Sequence, residues 1–308
     1  MRAKSLECVY ELAKRDPRVV YIGSDVGVGT LDNFKKEMPD RFFVEGISEA
    51  HVIGMAAGLA KAGYIPYVNT IATFLTRRCY EQIAIDVCLQ NLPVRLIANG
   101  GGLVYAPLGP THMAIEDIGL MRLLPNMQII APCDAAELEK IMMESFDAAN
   151  PMYIRIAKGD EPEISNTHSD KLRKFGKILL ITTGVMAHQA LKVVASFEKE
   201  NISCGFLHLP IIKPIDKKLL MSYIKNAELI VTIEEHVKEG GLGSSICEMV
   251  SDCFDENFPK VIRLGLPSKF VEYYGSQEEL FHHYELDASG IEKVLVTYLA
   301  GKEIFLGA

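Results

Sequence analysis

Gly46-Ile47-Ser48-Glu49-Ala50-His51 leads directly into residues 52–62, a stretch built almost wholly of small and apolar residues, and a strand-like run follows at 65–70. Gly54, Ala56, Ala57, Gly58 and Ala60 make this stretch a helix that another backbone could approach closely. Glu49 stands at its mouth. A carboxylate there is costly to desolvate unless something pairs with it. Free amides and the dipole at a helix N-terminus are one such partner; a bound ligand is another.

The same alternation extends in both directions from this unit. Strand-like runs at 19–22, 65–70, 94–98, 127–131 and 152–156 interleave with helical patterns at 4–15, 49–61, 73–90, 115–123 and 135–148. A polar stretch at 158–174, with Gly159, Pro162, Asn166 and Ser169, breaks the pattern and has the composition of a linker. Alternation then resumes, with strand-like runs at 178–182, 202–209, 229–233 and 261–264 and helical ones at 188–198, 217–224, 243–250 and 290–299. The pattern predicts an α/β protein of two domains, 1–165 and 166–308, each a mainly parallel sheet with helices on both faces.

The 308 residues suffice for two domains with ample core, and a net charge of -8 argues against nucleic acid or an anionic membrane as partner. Seven scattered cysteines show no metal-ligand spacing and read as reduced thiols, most of them small core residues. No apolar stretch approaches the ~18 residues of a membrane span. A cytoplasmic protein is expected.

Residues 44–63 resemble the pyrimidine-binding domain of the transketolase and deoxyxylulose-phosphate synthase enzymes, which use thiamine diphosphate. The resemblance implies that Glu49 hydrogen-bonds a ring nitrogen of the aminopyrimidine and helps to generate the reactive ylid. Thr73-Phe74-Leu75-Thr76-Arg77-Arg78-Cys79-Tyr80-Glu81-Gln82 extends it. There Phe74 matches an aromatic that packs on the aminopyrimidine, and Tyr80 is a second cofactor candidate; both could also be ordinary core residues. Gly109-Pro110-Thr111-His112 resembles the loop that places a His at the substrate. His112 is accordingly a candidate proton shuttle or hydrogen-bond donor, with a surface-loop His as the alternative. In Gly23-Ser24-Asp25-Val26-Gly27, the acid Asp25 follows a strand and points into the crevice where such sheets bind ligands; the resemblance implies a structural role or reach to the cofactor region from across the dimer. His51, two residues after Glu49, is a substrate candidate or a core histidine. Arg155, in Met152-Tyr153-Ile154-Arg155-Ile156, matches an arginine that contacts substrate phosphate. The glycines of Lys238-Glu239-Gly240-Gly241-Leu242-Gly243 are not expected to bind phosphate, since the family's last domain serves mostly assembly.

The resemblance covers nearly the whole chain but only the latter half of a full transketolase. The Gly-Asp-Gly and following Asn that hold diphosphate and metal in the family have no counterpart, for no Gly-Asp-Gly occurs in the sequence. No metal ligands are therefore expected on this chain. Thiamine diphosphate and Mg²⁺ (or Ca²⁺) would be bound jointly with a separate amino-terminal subunit, in an α₂β₂ heterotetramer. The substrate region departs from the family pattern too. Leu108 replaces an Asp that reads sugar hydroxyls, and Gly100 and Gly29 stand where a phosphate-contacting His and Ser are found. With Asn99-Gly100-Gly101-Gly102, a roomy pocket and an unusual or bulky acceptor are expected, with Arg155 the remaining anion contact. The function implied is transfer of a two-carbon ketol or acyl unit to an aldehyde or keto-sugar acceptor other than a standard sugar phosphate. A deoxyxylulose-phosphate-synthase-like acyloin synthase, a 2-oxoacid dehydrogenase β subunit and a non-catalytic regulatory partner are the alternatives.

Overall fold

A computed structural model describes residues 1–24, 28–159, 161–165, 172–253 and 259–301. Strands Val19–Gly23 (β1), Phe42–Val44 (β2), Ile65–Ile71 (β3), Arg95–Asn99 (β4), Gln128–Ile130 (β5) and Met152–Ile156 (β6) belong to the first half of the chain. Arg173–Lys174 (β7), Ile178–Thr182 (β8), Cys204–His208 (β9), Ile211–Lys213 (β10), Leu229–Val237 (β11) and Lys260–Leu266 (β12) belong to the second.

Six strands pair in parallel in the order β5-β6-β4-β3-β1-β2, and β10 reaches across from the second half to add an antiparallel edge on β5. The second sheet runs β12-β11-β8-β9-β7, parallel except for the two-residue β7. Every residue of β1, β4, β6, β8 and β9 is buried. Helices cover both faces of such strands, so they read as continuous apolar runs rather than alternations. β12, at a sheet edge, alternates buried and partly exposed residues instead. The expected α/β fold with two mainly parallel sheets is present.

The helix Glu49–Lys61 packs Val52, Ile53, Ala56, Ala57 and Ala60 against the first core. Its glycines lie on the other side: a Cβ at Gly54 or Gly58 would meet nothing within 4 Å. The alanines admit the sheet, and the glycine face is open. One expected helix is broken. In place of a continuous helix over 73–90, the chain forms Ala72–Thr76, then Tyr80–Gln82, then a wide π-helical stretch, Ile83–Cys88. The break leaves Arg77 and Arg78 between segments. The two halves share a core in which Leu103, Ala106, Met113, Ile115 and Cys133 pack with the strands and helices of the second sheet.

Candidate active site

β3 ends at Ile71 and the chain turns at once into the short helix that carries Phe74, at the carboxyl end of the parallel sheet where such folds place ligands. Glu49 heads the neighbouring helix. Ser48, before it, makes no side-chain cap bond, and the Glu49 carboxylate is only 2% exposed. Its Oε2 accepts from Arg78 Nη1 at 2.5 Å. The Arg78 guanidinium lies over the Phe74 ring, 4.7 Å from its centroid. Phe74 in turn meets His112 edge to face at 5.2 Å. Glu49, Phe74 and His112, far apart in sequence, are thus brought together by geometry, with Arg78 as the joint. Nearby, the hydroxyl of Thr73 and Oδ1 of Asn99 are buried without a hydrogen-bond partner among the described residues. Buried polar atoms left without partners are expensive; Thr73 lies in the short helix after β3 and Asn99 closes β4.

The His112 loop is clamped by Arg77. Its Nη1 and Nη2 donate to the carbonyls of Pro110 and Met113, both at 3.1 Å. Nη2 also reaches Glu116 Oε2 at 2.9 Å, while Nε donates to the other carboxylate oxygen, a two-pronged contact that fixes orientation as well as distance. Gly109 has φ +81°, and a Cβ there would fall 2.7 Å from the Tyr274 ring, so the loop must have glycine at this point. His112 Nδ1 pairs with the Thr111 hydroxyl at 2.8 Å. Sequence reasoning overlooks Arg77 and Arg78 as functional residues, although their tandem position inside the Phe74 motif is a usable signal.

Among the described residues, no hydrogen bond, ion pair or ring contact joins Tyr80, His51 or Leu108 to this cluster. Asp25 lies outside the described residues. Tyr80 is half-buried against the first core. The imidazole of His51 is 65% exposed, 3.9 Å from the Glu45 carboxylate. Leu108 is exposed beside the His112 loop.

One expected anion contact is engaged inside the chain, and one expected pocket is filled. Arg155 is 6% exposed and internally committed: Nε donates to Asp117 Oδ2 at 2.8 Å, and Nη2 to the carbonyls of Glu235 at 2.8 Å and Ala114 at 3.2 Å. Nη1 faces the Glu235 carboxylate at 3.9 Å. A guanidinium held in this way ties the two halves of the chain, with Nε and Nη2 committed internally. Nor does the glycine run open a roomy pocket. Space beside Gly100 is filled by Tyr105, beside Gly101 by Arg155 and beside Gly102 by Glu235; a Cβ added at each glycine would fall 2.0 to 2.4 Å from them. These glycines admit neighbouring side chains instead of leaving a void.

Around Arg155, burial pushes the carboxyl of Glu235 up to about 7, against the pull of Arg155, Gln277 and the Leu103 amide. Burial also raises Glu234, although the amides of Leu242 and Gly243 bond its carboxylate at 2.7 and 2.9 Å. The chain's own carboxylate therefore occupies the glycine-rich turn before the helix Leu242–Cys253, which leaves those amides committed internally rather than free for an external phosphate.

Residues 1–162 match the family described as transketolase, pyrimidine binding domain, and residues 168–291 match transketolase, C-terminal domain. The 1-deoxy-D-xylulose-5-phosphate synthase of Clostridium perfringens is 37% identical over 303 residues, covering 95% of this chain and 48% of that protein. The synthase of Syntrophotalea carbinolica is 36% identical over 290 residues, covering 91% and 45%. The chain thus spans about half the length of the curated relatives it matches. A solved split-gene transketolase, an inactive β4 tetramer, superposes with a TM-score of 0.85 at 32% identity, covering 98% of this chain and 99% of that one. A transketolase from Pichia stipitis shares the fold, with a TM-score of 0.77 at 17% identity over 99% of this chain and 47% of that one. The chain belongs to the transketolase family, with a pyrimidine-binding domain followed by a transketolase C-terminal domain.

Proposed function

We propose that this chain is the carboxyl-terminal subunit of a two-subunit, thiamine-diphosphate-dependent transketolase-like enzyme. The enzyme would transfer a two-carbon ketol or acyl unit to an aldehyde or keto-sugar acceptor. We place its two domains at 1–165 and 166–308 and the assembled enzyme in the cytoplasm. The observation that carries the reading is the buried Glu49 carboxylate, joined through Arg78 to the face of Phe74 and so to His112.

The residues present fit the cofactor's pyrimidine end. A desolvated carboxylate, an aromatic face and the unpartnered Thr73 hydroxyl are what a flat, nitrogen-rich ring requires. When bound, thiamine diphosphate supplies the electron sink for carbon–carbon bond cleavage and formation. Glu49 would hold a proton at the aminopyrimidine ring nitrogen, and Phe74 would pack on that ring. His112, fixed by Arg77 and Thr111, moves a proton at the donor or acceptor oxygen. Tyr80 and Asp25 remain secondary cofactor candidates, and His51 a substrate candidate near a subunit boundary. The diphosphate and Mg²⁺ (or Ca²⁺) would be held by the amino-terminal partner, since the family's Gly-Asp-Gly does not occur among these 308 residues.

With Arg155 committed to Asp117 and Glu235, and Leu108 in place of a hydrogen-bond acceptor, a standard sugar phosphate finds little recognition on this chain. The test is turnover of the assembled pair on ketose phosphates against keto-sugar and pyruvate panels. kcat/KM near ~10⁴ M⁻¹s⁻¹ or above on an ordinary ketose phosphate and pentose phosphate pair would overturn the substrate proposal. The second reading, an acyloin synthase with pyruvate as donor, draws on the 37% identity to a 1-deoxy-D-xylulose-5-phosphate synthase. Pyruvate consumption with release of CO₂ would favour it. His112→Ala should lower kcat on the order of 10²-fold in either case.

A further inference from the structure

Where the two halves of the chain meet, away from Glu49, three side chains of different chemistry converge. Cys133 follows β5, and Glu137 lies in the first turn of the helix Ala135–Glu144. His208 closes β9 from the other half of the chain. Glu137 Oε2 accepts from His208 Nε2 at 3.0 Å and from the Cys133 amide at 2.8 Å. The Cys133 Sγ, a Glu137 oxygen and a His208 ring nitrogen all lie within 4.8 Å of one another. We propose that Cys133, Glu137 and His208 form a zinc site that clamps the two halves of the chain together.

Three arguments support the assignment. Thiolate, imidazole and carboxylate are the ligand types zinc selects. One Zn²⁺ with a thiolate, a carboxylate and a neutral imidazole sums to zero charge, which suits an interior where an uncompensated charge is costly. Geometry is the third. Bonds of about 2.0–2.3 Å in a tetrahedron separate ligand atoms by roughly 3.3–3.8 Å. The His208–Glu137 pair at 3.0 Å and the three ligand atoms within 4.8 Å lie about 1 Å or less from that spacing. Supporting contacts are present as well. Thr182 Oγ1 faces His208 Nδ1 at 3.5 Å, and His188 Nε2 donates to the Cys133 carbonyl at 2.9 Å. Glu137 retains 14% exposure, which leaves a route from solvent. The thiol proton leaves to bulk water as the metal binds.

The experiment uses the full chain, without cofactor or partner subunit, stripped by chelator and titrated with Co²⁺ and then Zn²⁺. One equivalent of Co²⁺ should produce visible tetrahedral d–d bands and a near-ultraviolet thiolate-to-cobalt band. Zn²⁺ should abolish both and raise Tm. Cys133→Ala, Glu137→Gln and His208→Gln should each weaken binding at least tenfold, while Cys247→Ser with Cys253→Ser should leave it unchanged. Glu137→Gln retains a hydrogen-bond partner for His208, so it reports on the metal even if the other two variants fold poorly. Absence of the thiolate band from the folded wild-type chain, or its survival in Glu137→Gln and Cys133→Ala, would overturn the site.

Discussion

Arg78 ties the Glu49 carboxylate to the Phe74 ring, and the two ends of that tie differ in solvation. Glu49 is buried, whereas the Arg78 side chain is 45% exposed. A guanidinium half in water can be drawn away at small cost, so a ring nitrogen arriving at Glu49 competes with it on favourable terms. In the proposed enzyme, Glu49→Gln should leave circular dichroism and Tm near wild type but cut kcat on the order of 10²-fold or more, because an amide cannot exchange the proton. Arg78→Ala should leave kcat within a few-fold. Phe74→Ala should raise the cofactor's apparent Kd roughly fivefold, the equivalent of about 1 kcal/mol of ring contact. Isothermal titration and steady-state kinetics on the assembled complex separate the three outcomes; a near-wild-type rate for Glu49→Gln would return that residue to a purely structural role. Glu49, Phe74 and His112 are legible in the sequence because each sits in a distinctive local run. Arg78 is less so: its place in the Phe74 run is a signal, but its partner Glu49 lies 29 residues away and only tertiary structure brings the two together. Gly100, Gly101 and Gly102 mislead for a related reason. A missing Cβ records that space is needed, and only the fold tells whether Tyr105, Arg155 and Glu235 fill it.

Among elements, the long buried strands are legible because burial on both faces leaves an unbroken apolar run. β2, β7 and β10, two or three residues each, carry no such signal and exist through pairing alone. β6 and β11 meet at the Arg155 network, where Asp117, Glu235 and His236 are buried together. Arg155→Met should destabilise the chain by about 3–5 kcal/mol, since it strands two carboxylates in the interior; urea denaturation measures it. The same network makes stability depend on pH. Burial lifts Glu235 from an ordinary 4.5 to about 7. An acid whose folded value is raised holds more protons folded than unfolded between the two values, so stability falls as pH rises through that window. Thermal melts at pH 5, 6 and 7 should show a declining Tm contribution that Glu235→Gln removes. A slope identical in the variant would assign the dependence to other groups.

At the scale of the whole molecule, apolar residues are left in water just before Glu49 and along the π-helical stretch that packs against its helix. Ile47 is 74% exposed, Leu89 71% and Ile85 52%. His51, Gly54 and Gly58 line the outer face of the helix Glu49–Lys61, where an added Cβ at either glycine would meet only open space. Covering a large apolar side chain contributes roughly 1.5–3 kcal/mol, and a glycine face lets a second backbone come close. Both features fit an amino-terminal partner seated on this side, beside the mouth of Glu49. The isolated chain is then expected to bind thiamine diphosphate weakly and to show no turnover, because it offers the pyrimidine end of a site and not the diphosphate end. Adding a subunit that carries Gly-Asp-Gly and the following Asn should restore cofactor binding and activity together, in an α₂β₂ particle by light scattering. Leu89→Glu, on the exposed apolar rim, should weaken assembly and activity in parallel while leaving the Tm of the isolated chain unchanged. Robust turnover by the homogeneous chain alone would refute the division of the site between two subunits. Loss of activity in Leu89→Glu with assembly intact would place the partner on another face.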